Sequence, residues 1–196
     1  MAGRTTIYTA ITGGKDKPRE DITCFTGYDR FKRPVFNAKI YKILPWLFMD
    51  TDISIWVDGN IELLIEPDDL AEQWLAGGAD MAVWKHHARK PVYDEAKQAK
   101  GLFHSYNDRE IIAEIDEQAE YYHNKDFPVD CGTMAECNVI VRKHNRRVKE
   151  FCEDWWAEIC RFSQRDQISF PVVLERHNIK LNFIEGNPRN HPDFKY

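Results

Sequence analysis

The run Ile53-Ser54-Ile55-Trp56-Val57 is apolar and rich in β-branched residues, and it breaks at Asp58-Gly59-Asn60. Two oxygen-bearing side chains one residue apart at a strand end can both reach a single hard cation. Such a cation is typically Mg²⁺ or Mn²⁺, which binds a few protein oxygens together with the phosphates of a substrate. It neutralises a departing diphosphate, and transfer of a sugar from a nucleotide donor needs that charge stabilised. Asn60 is an amide and not a second carboxylate. Its amide oxygen can ligate but brings no charge, so Lys39, Lys85, Arg89 or Arg165 are alternative partners for a diphosphate. As an isolated string, Asp-Gly-Asn also reads as a common turn.

These groups need elements to hold them. Ile7 to Thr12 reads as a first buried strand ending at Gly13-Gly14, and Asp21 to Thr26 as a short second one. Asn37 to Phe48 has helical apolar spacing interrupted by Pro45, which predicts a helix that kinks or stops there. Ile61 to Ile65 reads as a short extended piece. Pro67 with Asp68 and Asp69 opens a helix through Trp74. Asp80 to Trp84 reads as a strand running into Lys85-His86-His87-Ala88-Arg89. Helices are expected over Val92 to Gln98, Asp108 to Tyr122, Val148 to Phe162 and Gln167 to Arg176. Strands are expected over Asn138 to Arg142 and Ile179 to Ile184, followed by a Pro-rich tail. Strands alternating with helices predict an α/β fold, a mainly parallel sheet with helices on both faces. Ligands of such sheets sit outside the carboxyl ends of the strands. Gly13-Gly14, Asp58-Gly59-Asn60 and Lys85-His86 are then the segments to inspect.

The 196 residues suffice for one sizeable core and read as a single domain over 1–196. The 13% aromatic content argues for a packed globule rather than a disordered chain. A net charge of -5 gives no support for a nucleic-acid partner. The five cysteines, Cys24, Cys131, Cys137, Cys152 and Cys160, are odd in number and contain no CxxC pair. That predicts buried free thiols in a reducing compartment. Met1 to Thr6 lacks the apolar core of a signal peptide, and the apolar runs are too short for a transmembrane segment. Cytoplasmic location is the expectation.

Several segments in order, Lys39 to Phe48, Trp84 to Arg89 with Tyr93-Asp94-Glu95, Ile115 to Gln118, Glu136 to Arg142, Trp155 to Ile159 and Ser163 to Phe170, carry a specific resemblance. From about Ile7 to Phe170 the chain resembles a bacterial and plant family first known only as a domain of unknown function. That family is now described as glycosyltransferase-like, with plant mucilage and tapetum proteins among its members. More distantly the layout resembles the glycogenin and lipopolysaccharide-galactosyltransferase group, of GT-A type. This implies a hexosyltransferase taking a nucleotide diphosphate sugar, a UDP-sugar in the first instance, and a glycan or other small hydroxyl acceptor, with retention of configuration. It also implies roles. Asp58 would meet the metal or the donor ribose, with Asn60 where the second acid usually stands, and a cofactor of Mn²⁺ or Mg²⁺. Asn138 would face the sugar, and Asp166 and Gln167 would lie beside the reacting centre. Lys39 would contact the diphosphate, and Gly13 and Gly14 would admit the nucleotide. His86 and Arg89 match the family's Lys-His-x-x-Arg pattern at Lys85. A late histidine completes the metal site in related enzymes, which makes His191 a metal candidate.

Each feature has a plainer reading. Lys85 to Arg89 also reads as a charged surface loop, and Ser163 with Asp166 as a helix cap and first-turn acid. Glu136 reads equally as a solvated loop acid. Phe151, Trp155 and Trp156 have the spacing of a core face, and the acids of Glu110 to Glu120 that of a solvated one. Two other functions stay open. One is a hydrolase of the lipid-amidase type, an activity associated with part of the family. The other is a nucleotide-sugar-binding module without catalysis.

Overall fold

The β-branched run Ile53–Val57 forms β3 and sits at the centre of the sheet. The computed structural model describes residues 4–14, 16–86, 92–128 and 134–196. The sequence candidates His87, Arg89, Cys131 and Gly132 lie outside the described residues. In chain order the elements are β1 (Thr5–Ala10), β2 (Thr23–Phe25), α1 (Pro34–Ile43), β3, β4 (Glu62–Leu63), α2 (Pro67–Trp74), β5 (Met81–Lys85), α3 (Val92–Ser105), α4 (Arg109–Asn124), β6 (Ala135–Lys143), α5 (Arg146–Arg161), α6 (Asp166–Leu174), β7 (Leu181–Ile184) and β8 (Phe194–Lys195).

The six-stranded sheet has the order β2-β1-β3-β6-β5-β7. β1 runs parallel to β2 and β3, and β5 parallel to β7, whereas β6 is antiparallel to both of its neighbours. The fold is therefore α/β, mostly parallel and mixed, as the alternation of strands and helices predicts. The reversed strand matters for the site. Because β6 enters from the opposite end, its first residues lie beside the last residues of β3, with Val139 opposite Val57. The Asp58 amide continues that ladder, donating to the Asn138 carbonyl at 2.9 Å.

Strand side chains alternate between two layers. Tyr8, Trp56, Met81, Val83 and Ile140 pack against α1, α5 and α6. Ile55, Val57, Ala82, Trp84, Val139 and Val141 pack against Leu70, Ala71 and Trp74 of α2 and against Phe194 of the tail. The α3–α4 pair buries Val92, Ala96, Ile111 and Ile115 with Ile168 and Val172 of α6. Trp155 is fully buried and Trp156 half-buried against Phe31 and Phe36, so both serve the core. The four described cysteines are free thiols, as expected, but only Cys137 and Cys152 are buried, while Cys160 is exposed.

Helix α1 is fixed at both ends. Pro34 supplies its first turn, where a missing N–H is harmless. At the other end the buried Arg142 of β6 donates to the carbonyls of Lys42 and, at 3.4 Å, Ile43. Its guanidinium also donates to the hydroxyls of Tyr8 at 2.5 Å and Ser54 at 3.3 Å. No carboxylate is needed there, because the last carbonyls of a helix carry partial negative charge that a cation satisfies.

Candidate active site

Asp58 leaves the sheet two residues after Trp56, so both side chains point to the α1 face. The Trp56 indole N–H donates to Asp58 Oδ1 at 2.8 Å and fixes that carboxylate. Across from it, α1 presents Lys39 and Lys42, three residues apart and hence on one face of the helix. Both reach Asp166, the first residue of α6. Lys39 Nζ lies 3.1 Å from Oδ1 and Lys42 Nζ 2.9 Å from Oδ2. Lys42 Nζ is also 3.6 Å from Asp58 Oδ1. The Lys39, Lys42 and Asp166 side chains are nearly buried, while that of Asp58 is 42% exposed. Asp58 is thus the member of the cluster open to a ligand.

The cluster sets its own charge states. Burial alone would raise the Asp166 carboxyl, but Lys39 and Lys42 outweigh it and hold it well below the usual carboxylate range. Burial pulls Lys42 down, yet the charges of Asp166 and Asp58 carry it above the ordinary lysine value. For Lys39 burial prevails over Asp166, with repulsion from Lys42 adding to it, and its value is lowered. Burial, reinforced by Asp166, pushes the Cys137 thiol up, which keeps it protonated and a poor nucleophile.

Around this cluster is a cavity of about 460 Å³, within the range of small-ligand sites. Asn138 forms one wall. Its amide donates to Glu136 Oε1 and to the Tyr196 hydroxyl, both at 3.0 Å, which fixes its orientation. Gln167 donates to the Ala135 carbonyl at 3.2 Å and accepts from Arg165 at 2.7 Å, tying the start of α6 to the start of β6. Arg165 also pairs with the buried Glu95 at 2.6 Å. His86 and Asn60 line the same cavity. A second cavity of about 550 Å³, at the end of β1, shares Val35, Ala38 and Asn60 with the first, so the two adjoin.

Most of the residues singled out in the sequence converge here: Lys39, Asp58, Asn60, His86, Asn138, Asp166 and Gln167 line the main cavity. Gly13 and Gly14 form the turn after β1, both at positive φ, beside Ile11 and Thr12 of the adjoining cavity. A side chain at Gly13 would press on Pro34 Cβ at 3.3 Å and displace the start of α1. Lys85 is placed elsewhere, paired with Glu185 at 2.6 Å outside the cavity lining. His191 packs on the Trp84 and Phe194 rings beside Asp193 and does not line the cavity either. Asp166 is the first-turn acid of α6, as its plainer reading had it, but not the cap. Arg165 holds that position without a side-chain cap, and the Asp166 carboxylate faces the lysines.

Lys42, Arg189 and Tyr196 were missed by sequence reasoning. Lys42 had a usable signal in its three-residue spacing from Lys39, whereas the tail residues carry none. A divalent cation fits this donor set poorly. Asp58 Oδ1 is already engaged by Trp56 and faced by Lys42, and Asn60 adds no charge. Among the described residues no group of three or more His, Cys, Asp or Glu could hold a metal ion.

The fold and site define an α/β domain with a polar, lysine-bearing cavity at the carboxyl end of its central strand. The chain belongs to the TOD1/MUCI70 glycosyltransferase-like domain family, whose model matches residues 27–189. Of two curated relatives from Arabidopsis thaliana, one named "Probable hexosyltransferase MUCI70" is 31% identical over 169 residues, covering 79% of this chain and 28% of the relative. The other, named "Alkaline ceramidase TOD1", is 28% identical over 166 residues, covering 79% of this chain and 35% of that protein. The chain therefore spans about a third of the length of these relatives. The crystal structure of A197 from STIV aligns over 93% of this chain and 82% of its own, at 10% identity and a TM-score of 0.41. Among the described residues no helix is long and apolar enough to cross a membrane.

Proposed function

We propose that this domain transfers a hexose from a nucleoside diphosphate sugar, a UDP-sugar being the first to test, to a hydroxyl of a glycan or small-molecule acceptor. The observation that carries this reading is the pair of buried lysines facing Asp58 and Asp166 at the carboxyl end of β3. In the transfer, the bond from the anomeric carbon to the diphosphate breaks and a bond to the acceptor oxygen forms. The acceptor proton leaves with the departing diphosphate. The protein's contribution is to hold that developing charge with fixed cations and to orient the sugar. Lys39 and Lys42 would face the diphosphate, Asp58 would accept from donor hydroxyls, and Asn138 and Gln167 would line the sugar. Retention of configuration rests on the glycogenin-like resemblance, and NMR of the product's anomeric proton decides it.

The relative named a ceramidase carries a second reading, hydrolysis of a lipid amide. A lipid substrate would want apolar walls, and this cavity, although Val35, Ala38, Trp56 and Ile61 line part of it, also presents Lys39, Lys42 and Arg189. That lining favours a phosphate-bearing ligand.

The test is turnover of UDP-glucose and UDP-galactose over an acceptor panel, with UDP binding measured by calorimetry. Asp58→Ala is expected to lower transfer by about a hundredfold while leaving the fold intact. Failure of the folded protein to bind any nucleoside diphosphate would sink the proposal, and ceramide hydrolysis by the purified domain would favour the second reading.

A further inference from the structure

Lys39 and Lys42 are set more rigidly than surface lysines. They stand on a helix whose start is locked by Pro34 and whose last carbonyls are held by Arg142. Their ammonium groups take the two oxygens of the Asp166 carboxylate, and Lys42 also lies 3.6 Å from Oδ1 of the part-exposed Asp58, the one partner that faces the cavity mouth. Cations fixed in place before the ligand arrives cost no reorganisation when negative charge develops beside them. A third donor is at hand. Arg165 lines the same cavity, and its Nε is buried without a hydrogen-bond partner.

The same geometry works against a divalent ion. An ion on Asp58 Oδ1 would share that oxygen with the Trp56 N–H and meet the Lys42 ammonium 3.6 Å away from the same atom. An ion and an ammonium group on the same oxygen repel each other in a partly buried site. Asn60 supplies no negative charge in return.

We infer that the Lys39–Lys42 pair is the resident cation of this site and takes the diphosphate of a nucleoside diphosphate ligand directly, without a divalent metal. The inference rests on the nucleotide-sugar reading above and adds the means by which that ligand is held. Asp166 is then a positioning residue that holds the two ammonium groups side by side. Asp58 is left to accept from the ligand's hydroxyls.

Calorimetry of UDP binding to the full chain tests it, with the protein treated with EDTA in one arm and supplied with Mn²⁺ in the other. Equal affinity in both arms is expected. Lys39→Met and Lys42→Met should each weaken binding about tenfold or more in the EDTA arm. Lys42→Arg, which keeps the charge, should retain most of it. Should Lys42→Met not fold, as circular dichroism would show, Lys39→Met and the two wild-type arms still decide. Binding that requires Mn²⁺ overturns the inference and leaves the proposed function standing, as does UDP affinity unchanged by Lys39→Met and Lys42→Met. No binding of UDP, GDP or ADP in either arm overturns the proposed function, and the inference with it.

Discussion

Asp166 answers to two lysines, and that sharing sets the sign of substitutions in the cluster. Asp166→Asn would leave Lys39 and Lys42 buried without their carboxylate. Breaking a buried pair from one side costs about 3–5 kcal/mol, which urea unfolding would measure. The pH dependence follows from the lowered Asp166 value. Its contribution is fully present above the ordinary carboxylate range, near pH ~4. It is lost only as pH falls below that range toward the lowered folded value, so the gap between wild type and Asp166→Asn should narrow in acid. His144 behaves in the same sense. Burial, with Arg142 and Lys149 nearby, pushes it down to about 4 against the opposing pull of Asp52. Its ring Nε2 meets Ser54 Oγ at 2.9 Å. Stability should therefore fall as pH drops from about 6.5 towards 4, and His144→Gln should flatten that part of the curve in melts across pH. At this scale the sequence pointed to Asp58 by its place at a strand end and to Asp166 through the family resemblance. The partnership of Asp166 with lysines instead of a cap was not visible, because α1 and α6 meet only in the folded core.

Elements read from local pattern came out close to their observed bounds where the pattern was strong. Ile53–Val57 is such a strand, and α2 runs Pro67–Trp74 as its Pro and first-turn acids indicate. α1 ends just before Pro45, which starts a single 3₁₀ turn, Pro45–Leu47, so of the expected kink or stop the structure has the stop. The start of α1 at Pro34 was missed although it was legible: Phe36 precedes Ile40 by four residues and Ile43 by seven, and a proline marks the first turn. α3 continues to Ser105, past Gly101, where the sequence suggested an end at Gln98. Packing of Ala96 and Ala99 against its neighbours sustains that helix through the glycine. Gly101 is exposed within the helix, with open space where a Cβ would sit. Gly101→Ala should therefore raise stability by about 0.5–1 kcal/mol in denaturant melts, with no effect on the cavity. Arg142→Met should act oppositely. It removes the donor of the Ile43 carbonyl and leaves the Lys42 carbonyl with the Tyr8 hydroxyl alone, at a cost of about 1–3 kcal/mol for a group left unsatisfied.

The direction of β6 is a property of the whole molecule. Nothing in Ala135–Lys143 says that it runs against β3 and β5, since strand direction is settled by long-range pairing. Yet that reversal brings Asn138 beside Asp58, and the tail then places Tyr196 and Arg189 on the same cavity. The site consequently exists only when α1, β3, β6, α6 and the tail are all assembled. A ligand that binds there binds the native state and not the unfolded chain, so it should shift a single unfolding transition. At a hundredfold excess over its dissociation constant, UDP would add about 2.7 kcal/mol, or about 5–10 °C for a domain of this size. Uridine, which lacks the phosphates that the lysines would hold, should shift the transition far less at equal concentration. The difference between the two shifts measures the share of binding carried by the diphosphate, and it should shrink in Lys42→Met. Equal shifts from UDP and uridine would mean that Lys39 and Lys42 do not face phosphate, and that the two buried ammonium groups serve only to hold α1 against α6.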